Sequence, residues 1–261
     1  MTSHASVLIR ARAKLGRVTT RARDRISGIP QRFVQERRGL PIPPGGLIHK
    51  VANTESVPWF LSTGEIAANC LVDVLHKNGV EFRSLGSILD FGCGIGRVMR
   101  HWKTVRGPKF YGTDYNPSLV DWCRDHLKFA EFQTNTLNGG LGYESGSMDF
   151  VYALSVFTHL DAALQTFWMN ELRRVLKPGG LAFITVHGRH YLGHLEDDER
   201  KDFEAGNAVV RLARREGSND CASFHPENAV RNGLASEFHV VDFLPEGALG
   251  NPRQDAYLLR K

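Results

Sequence analysis

Ile88-Leu-Asp-Phe-Gly-Cys-Gly-Ile-Gly-Arg97 reads as a short buried strand (Ile88, Leu89, Phe91) that runs into a turn with glycines at 92, 94 and 96. Asp90 precedes the turn, and Val98, Met99 and Trp102 predict a helix after it. Glycines at such a turn let a ligand approach the main chain closely, at the carboxyl edge of a parallel sheet. That edge is where nucleotide-like cofactors bind in open α/β folds.

A dinucleotide fingerprint needs glycines at relative positions one, three and six. Here position six is Arg97, the third glycine comes one residue early, and Asp90 would repel a pyrophosphate. A carboxylate suits a cofactor that carries an ammonium and a sulfonium. Downstream segments extend the pattern. Phe110-Tyr-Gly-Thr-Asp114 is a second strand ending in an acid 24 residues after Asp90, placed to accept hydrogen bonds from a ribose diol. Glu131–Asn135 reads as strand three with Asn135 and Thr136 at its tip, and Met148–Ser155 as strand four. A helix through Glu171-Leu-Arg-Arg is stopped by Pro178-Gly-Gly180, and Leu181–Val186 is a fifth strand.

Asp90-Phe-Gly-Cys-Gly-Ile-Gly96 resembles the D-x-G-x-G-x-G loop of class I S-adenosylmethionine-dependent methyltransferases, and the helix–Lys-Pro-Gly-Gly–strand passage is similar to their late motif. The resemblance covers roughly residues 86 to 187. It implies a doubly wound α/β fold: a seven-stranded, mostly parallel sheet closed by a terminal antiparallel hairpin, here Phe238–Leu244 with Ala256–Leu259. It also implies S-adenosyl-L-methionine as cofactor. The backbone of Gly92, Cys93, Gly94 and Gly96 would cradle the methionyl and ribose portion, with Asp90 near the ammonium. Asp114, followed by Tyr115, would hold the ribose hydroxyls; Asn135 and Thr136 would meet the adenine edge; Ser155 to Phe157 would line the methyl end.

An alcohol-like acceptor is a poor nucleophile, so a nearby base would help. His159 follows strand four and His187 follows strand five, and histidine titrates near neutrality. Either would serve as a base, or as a helix-capping group with no chemical role; His225 is a third candidate. No Asn/Asp-Pro-Pro-Tyr/Phe motif follows strand four, which speaks against amino-methylation of adenine or glutamine. The absence of Pro-Cys there removes the thiolate route to cytosine C5, and Asp161 alone is thin support for metal-dependent chemistry. Ser155-Val-Phe-Thr-His-Leu160, Thr185-Val-His-Gly188 and Gln254–Lys261 are similar to bacterial methyltransferases of surface-polysaccharide or glycolipid assembly. That likeness implies an O-methylated sugar, with a small-molecule or glycan acceptor.

Charge divides the chain. Residues 1–40 hold ten Lys/Arg against Asp24 and Glu36, and the remainder has 23 basic against 26 acidic residues. A basic tail on a mildly acidic body argues against a nucleic-acid enzyme, whose basic surface should surround its site. A methyltransferase of RNA or of a ribosome-associated protein with the tail as its arm, and a catalytically silent cofactor-binding module, remain as alternatives. Apolar residues recur every three or four positions between 7 and 33, among arginines. This extension would lie on an anionic membrane, serve as a transit peptide, or dock on its own domain. Residues 41–261 read as the methyltransferase domain.

Cysteines 70, 93, 123 and 221 form no C-x-x-C pair, which fits a reducing cytosol, and no run of 18 apolar residues occurs. Pro41–Gly46 reads as a linker, and Val57-Pro-Trp-Phe60 as an apolar patch, either cofactor cover or ordinary core. Ser62-Thr-Gly-Glu65 is a capping box opening a helix through about Asn78, with Ile66, Cys70, Leu71, Val74 and Leu75 inward. An insertion at about 188–225, containing the charged surface stretch Glu196–Lys201 and a helix over Val209–Arg215, would sit above the strand ends where a substrate enters.

Overall fold

The computed structural model describes residues 39–211 and 221–261. The expected membrane-contacting segment 7–33 lies outside them, as do residues 212–220 of the insertion.

Largely apolar runs give the central parallel strands their buried character. Strands β1 (Ser87–Phe91), β2 (Lys109–Asp114), β3 (Ala130–Thr134), β4 (Met148–Ala153) and β5 (Leu176–Val186) are joined by two later ones, β8 (His239–Leu244) and β9 (Asp255–Arg260). Their order is β3-β2-β1-β4-β5-β9-β8. The first five are parallel, whereas β9 runs antiparallel to both β5 and β8. The fold is therefore doubly wound, with its order reversing between β1 and β4, the crevice where such sheets bind ligands.

Alternation along the strands sends side chains to two layers. Leu89, Phe91, Val151, Ala182 and Ile184 pack with Trp168, Met169 and Leu172 of the helix that joins β4 to β5. Phe110 and Tyr152 face the other way, onto Trp102. The helices, in chain order, are α1 (Gly45–Ala52), α2 (Val57–Lys77), α3 (Pro117–His126), α4 (Ala162–Val175) and α5 (Asp197–Glu204). Among the described residues no helix is long and apolar enough to cross a membrane. Cys70, Cys93, Cys123 and Cys221 are buried thiols.

Several expected boundaries move. The helix after the glycine loop is a series of turns ending in a 3-10 helix, Met99–Trp102, because Gly94 and Gly96 hold left-handed φ of +53° and +67°. The N-cap of helix α2 lies six residues before Ser62: the Ser56 hydroxyl accepts the Trp59 N–H, and Pro58 suits the first turn. Phe60 is core, Ile66 is half-buried rather than fully inward, and left-handed Gly79 follows the helix. Gly45 and Gly46 lie in α1 rather than in a linker. Helix α4 ends at Val175, and Lys177-Pro-Gly-Gly180 belongs to β5. There it bulges between the pairings Met148↔Leu176 and Phe150↔Leu181.

Within the insertion, Asp197–Glu204 is helical, capped by the reciprocal Glu196–Glu199 box. The expected helix at Val209 is instead strand β6 (Val209–Arg211), paired antiparallel with β7 (Ala222–Phe224). The β-branched pair Val209-Val210 favours the extended form, and Leu195, Phe203, Val209 and Phe224 form a small separate core beneath it. The insertion is seated at the tip of β5: Phe224 bridges His187, and the His225 N–H donates to the His187 carbonyl at 2.8 Å.

Candidate active site

Strand β1 delivers Asp90 to the ligand-side edge, and the loop beyond it is closed by its own hydrogen bonds. The Gly92 and Cys93 amides both donate to the Thr113 carbonyl (2.8 and 2.9 Å), and Gly96 donates to the Cys93 carbonyl (2.9 Å). Gly94 donates to Asp114 Oδ2 at 2.9 Å. All four expected cradle amides are thus engaged, and the Cys93, Gly94 and Gly96 carbonyls also accept hydrogen bonds from within the protein, so the loop presents mainly Cβ-free surface to a ligand. A phosphate needs donors, whereas an ammonium needs acceptors. With those four amides spent the loop does not fit a pyrophosphate, while Asp90, a buried carboxylate at the start of the loop, is an acceptor suited to an ammonium.

Asp114 is 8 % exposed and also accepts the Asn116 N–H at 2.9 Å. Backbone donors on both of its oxygens thus fix the orientation of this carboxylate. Tyr115, 42 % exposed, stands beside it as a ring face. At the tip of β3, Asn135 Oδ1 accepts from the Thr113 hydroxyl (2.8 Å), and its amide donates to the Thr136 carbonyl (2.9 Å). The Asn135 side chain is therefore largely committed within the protein, while Thr136 is exposed.

Sequence reasoning missed Arg97. Its guanidinium donates to Thr63 Oγ1 (3.2 Å) and the Gly250 carbonyl (3.0 Å), tying the loop to α2 and to the β8–β9 turn. The signal was present, since Arg97 occupies the place where a dinucleotide loop requires glycine. A second missed element is α1, which lies over the loop: a Cβ on Gly94 would meet Val51 at 3.1 Å, and Lys50 Nζ donates to Ser118 Oγ (3.0 Å) across the Asp114 side.

Beyond the end of β4 stands Ser155, a non-glycine residue with φ +58°. Its N–H donates to Thr185 Oγ1 (2.8 Å), and both hydroxyls donate to Gln254 Oε1 at 3.0 and 2.8 Å. Gln254, 1 % exposed, was not identified as a site-shaping residue from sequence. Phe157 is a correction: it is 0 % exposed and belongs to the core against α4, so it does not line the methyl end. The left-handed turn at Ser155 aims that ring inward and leaves half-buried Val156, 2.4 Å from a Cβ built on Gly92, facing the loop.

His159 and His187 are brought together, their rings perpendicular with centroids 6.3 Å apart. His159 Nδ1 donates to the Cys221 carbonyl (2.8 Å) and His187 Nδ1 to the Ser223 carbonyl (3.2 Å). Since a carbonyl only accepts, each Nδ1 carries the proton and each Nε2 has its lone pair. Burial lowers the pKa of both, His187 to about 3. His225 lies behind them, buried, with Nε2 donating to Gln165 Oε1 (2.9 Å); it packs the insertion rather than reaching over the site.

Residues 89–184 match the family described as "Methyltransferase domain". The chain carries a class I, S-adenosylmethionine-dependent methyltransferase domain. It is similar to a tRNA N(3)-cytidine methyltransferase of Danio rerio, 26 % identical over 54 % of this chain and 42 % of that protein. It also resembles a mitochondrial ubiquinone biosynthesis O-methyltransferase of Dictyostelium discoideum, 24 % identical over 46 % of this chain and 41 % of that one. The chain spans about half or less of the length of these curated relatives. Among solved structures, a SAM-dependent methyltransferase from Methanosarcina mazei superposes with TM-score 0.53 at 20 % identity, covering 72 % of this chain and 96 % of that one.

The methyltransferase domain buries Asp90 beside the loop, and burial raises its carboxyl to about 7, with the Tyr152 hydroxyl and the Arg97 guanidinium offsetting part of the rise. A bound ammonium favours the ionised form. Below about 7 the carboxyl must first lose its proton, so cofactor affinity should rise from about pH 6 and level off by about pH 8. Calorimetry at pH 6 in two buffers of different ionisation enthalpy should show proton release on binding. An unchanged profile in Asp90→Asn would place the linked proton elsewhere.

Proposed function

We propose that this domain transfers a methyl group from S-adenosylmethionine to a hydroxyl oxygen of a neutral sugar, glycolipid or small metabolite, with His159 as the base. The observation that carries the reading is the Nδ1 bond of His159 to the Cys221 carbonyl, which leaves Nε2 as an acceptor at the tip of β4. The cofactor, when bound, supplies an electrophilic methyl on a sulfonium whose leaving group is a neutral thioether. The acceptor oxygen forms the bond to the methyl carbon, the carbon–sulfur bond breaks with its pair going to sulfur, and the hydroxyl proton passes to His159 Nε2. Asp114 and the glycine loop fix the donor, and the insertion screens the acceptor from water. Orientation of this kind contributes ~7–11 kcal/mol to such reactions. The basic segment 1–40 would hold the enzyme at an anionic membrane bearing lipid-linked saccharide.

Labelled-methyl transfer into fractionated extracts tests the acceptor class: label in saccharide, glycolipid or small metabolites supports the reading, and label confined to RNA or protein, or none at all, overturns it. His159→Gln should lower transfer by about 10²- to 10⁴-fold while S-adenosylhomocysteine affinity stays within about twofold. Equal turnover in the variant would remove His159 from the chemistry.

A second reading, RNA methylation, is favoured by the similarity of this chain to tRNA methyltransferases. The acidic balance of residues 41–261 weighs against it. RNA transfer should collapse as salt rises, because phosphate contacts release counterions, whereas a neutral acceptor should respond little.

A further inference from the structure

Resting on the O-methylation reading, we infer that the acceptor carries two neighbouring hydroxyls, one held by His159 and the other by His187. The inference comes from strand β7 and the residue before it. Ser223 lies in the strand and Cys221 immediately precedes it, and these two residues, two apart in sequence, present their carbonyls to the two histidines. Each consumes the Nδ1 proton of one histidine. Two imidazoles whose Nε2 atoms are acceptors are thereby set side by side, and neither Nε2 is hydrogen-bonded among the described residues. Hydroxyls on adjacent carbons, each donating over about 2.7–2.8 Å, fit between rings at a centroid spacing of 6.3 Å.

The surroundings narrow the class further. Tyr191 packs on His187 at 4.2 Å and Phe224 at 5.3 Å, giving an aromatic wall. Arg253, whose charge is felt at Tyr191, is paired with Glu246 at 2.7 Å. Both histidines are neutral in the physiological range, since burial lowers their basicity. A phosphate or carboxylate would meet acceptor atoms there and lose its hydration without compensation. A neutral diol meets two complementary partners. His159 would take the proton from the reacting oxygen, while His187 holds the adjacent hydroxyl and fixes which of the two is methylated.

The test uses the full chain with ¹⁵N-labelled histidine, saturated with S-adenosylhomocysteine. Before any acceptor is added, both rings should show the Nδ1–H tautomer at neutral pH. Titration with cis-1,2-cyclohexanediol should then shift Nε2 of His159 and His187 together. Its monomethyl ether should bind about tenfold more weakly, the effect of one lost hydrogen bond, and inorganic phosphate should shift neither ring. His187→Phe should keep its S-adenosylhomocysteine affinity, which shows that it is folded, and should weaken the diol response at His159 about tenfold. A diol that leaves both rings unmoved, an ether that binds equally well, or phosphate that displaces the diol would overturn the inference while leaving the methyltransferase reading intact. Failure of S-adenosylhomocysteine itself to bind would overturn that reading and this inference with it.

Discussion

Asp114→Ala will weaken S-adenosylhomocysteine binding by on the order of 100-fold, measured by calorimetry. Two losses combine. The ribose diol loses a charged acceptor, and hydrogen bonds to charged groups are worth about 1.5–3 kcal/mol. The Gly94 amide, which donates to Oδ2 at 2.9 Å, also loses its partner, so the loop loses a restraint at its left-handed residue. Asp114→Asn separates these contributions, because its amide oxygen can still accept from Gly94. It should fall in between, about tenfold weaker than the native protein. Equal affinity in all three proteins would mean that the carboxylate is not the ribose partner.

Gly64→Ala will destabilise the fold by about 2 kcal/mol, a value set by opposing effects. Alanine is the better helix former, worth about 1 kcal/mol in the interior of α2. Against this, a Cβ at Gly64 would lie 2.3 Å from the Arg97 carbonyl oxygen, a main-chain atom that cannot swing aside. Overpacking of this kind costs about 1–3 kcal/mol, more where backbone must shift. The clash wins, and the melting midpoint should fall by about 4–8 °C. Because α2 presses on the loop here, cofactor affinity should fall too. A variant at least as stable as the native protein would show that α2 can move away without consequence.

The two predictions reflect different degrees of legibility. Asp114 was readable because a strand ending in an acid at that spacing from a glycine loop has few other meanings, and β1, β4 and β5 were readable as largely apolar runs. Gly64 was not, because close approach between a helix and a distant loop leaves no periodic trace. The start of α2 was misplaced because Ser56 and Ser62 are both competent caps, and tertiary contacts of Phe60 decide between them. Phe157 was misassigned because one left-handed residue, Ser155, reverses which neighbour faces the ligand. Arg97 and Gln254 act through partners about 150 and 100 residues away, Gly250 and Ser155, and such pairings are set by the closed sheet rather than by local sequence.

The placement of β9 between β5 and β8 also governs how the molecule can be made. Until Asp255–Arg260 has left the ribosome, β5 is a bare edge of apolar residues with unsatisfied main-chain groups. At usual translation speeds, the 69 residues from Val186 to Asp255 leave that edge unguarded for roughly 4–14 s. Such a template invites other nascent chains. Chaperone attendance during that interval, and insolubility of any fragment cut near residue 187, follow directly from the strand order.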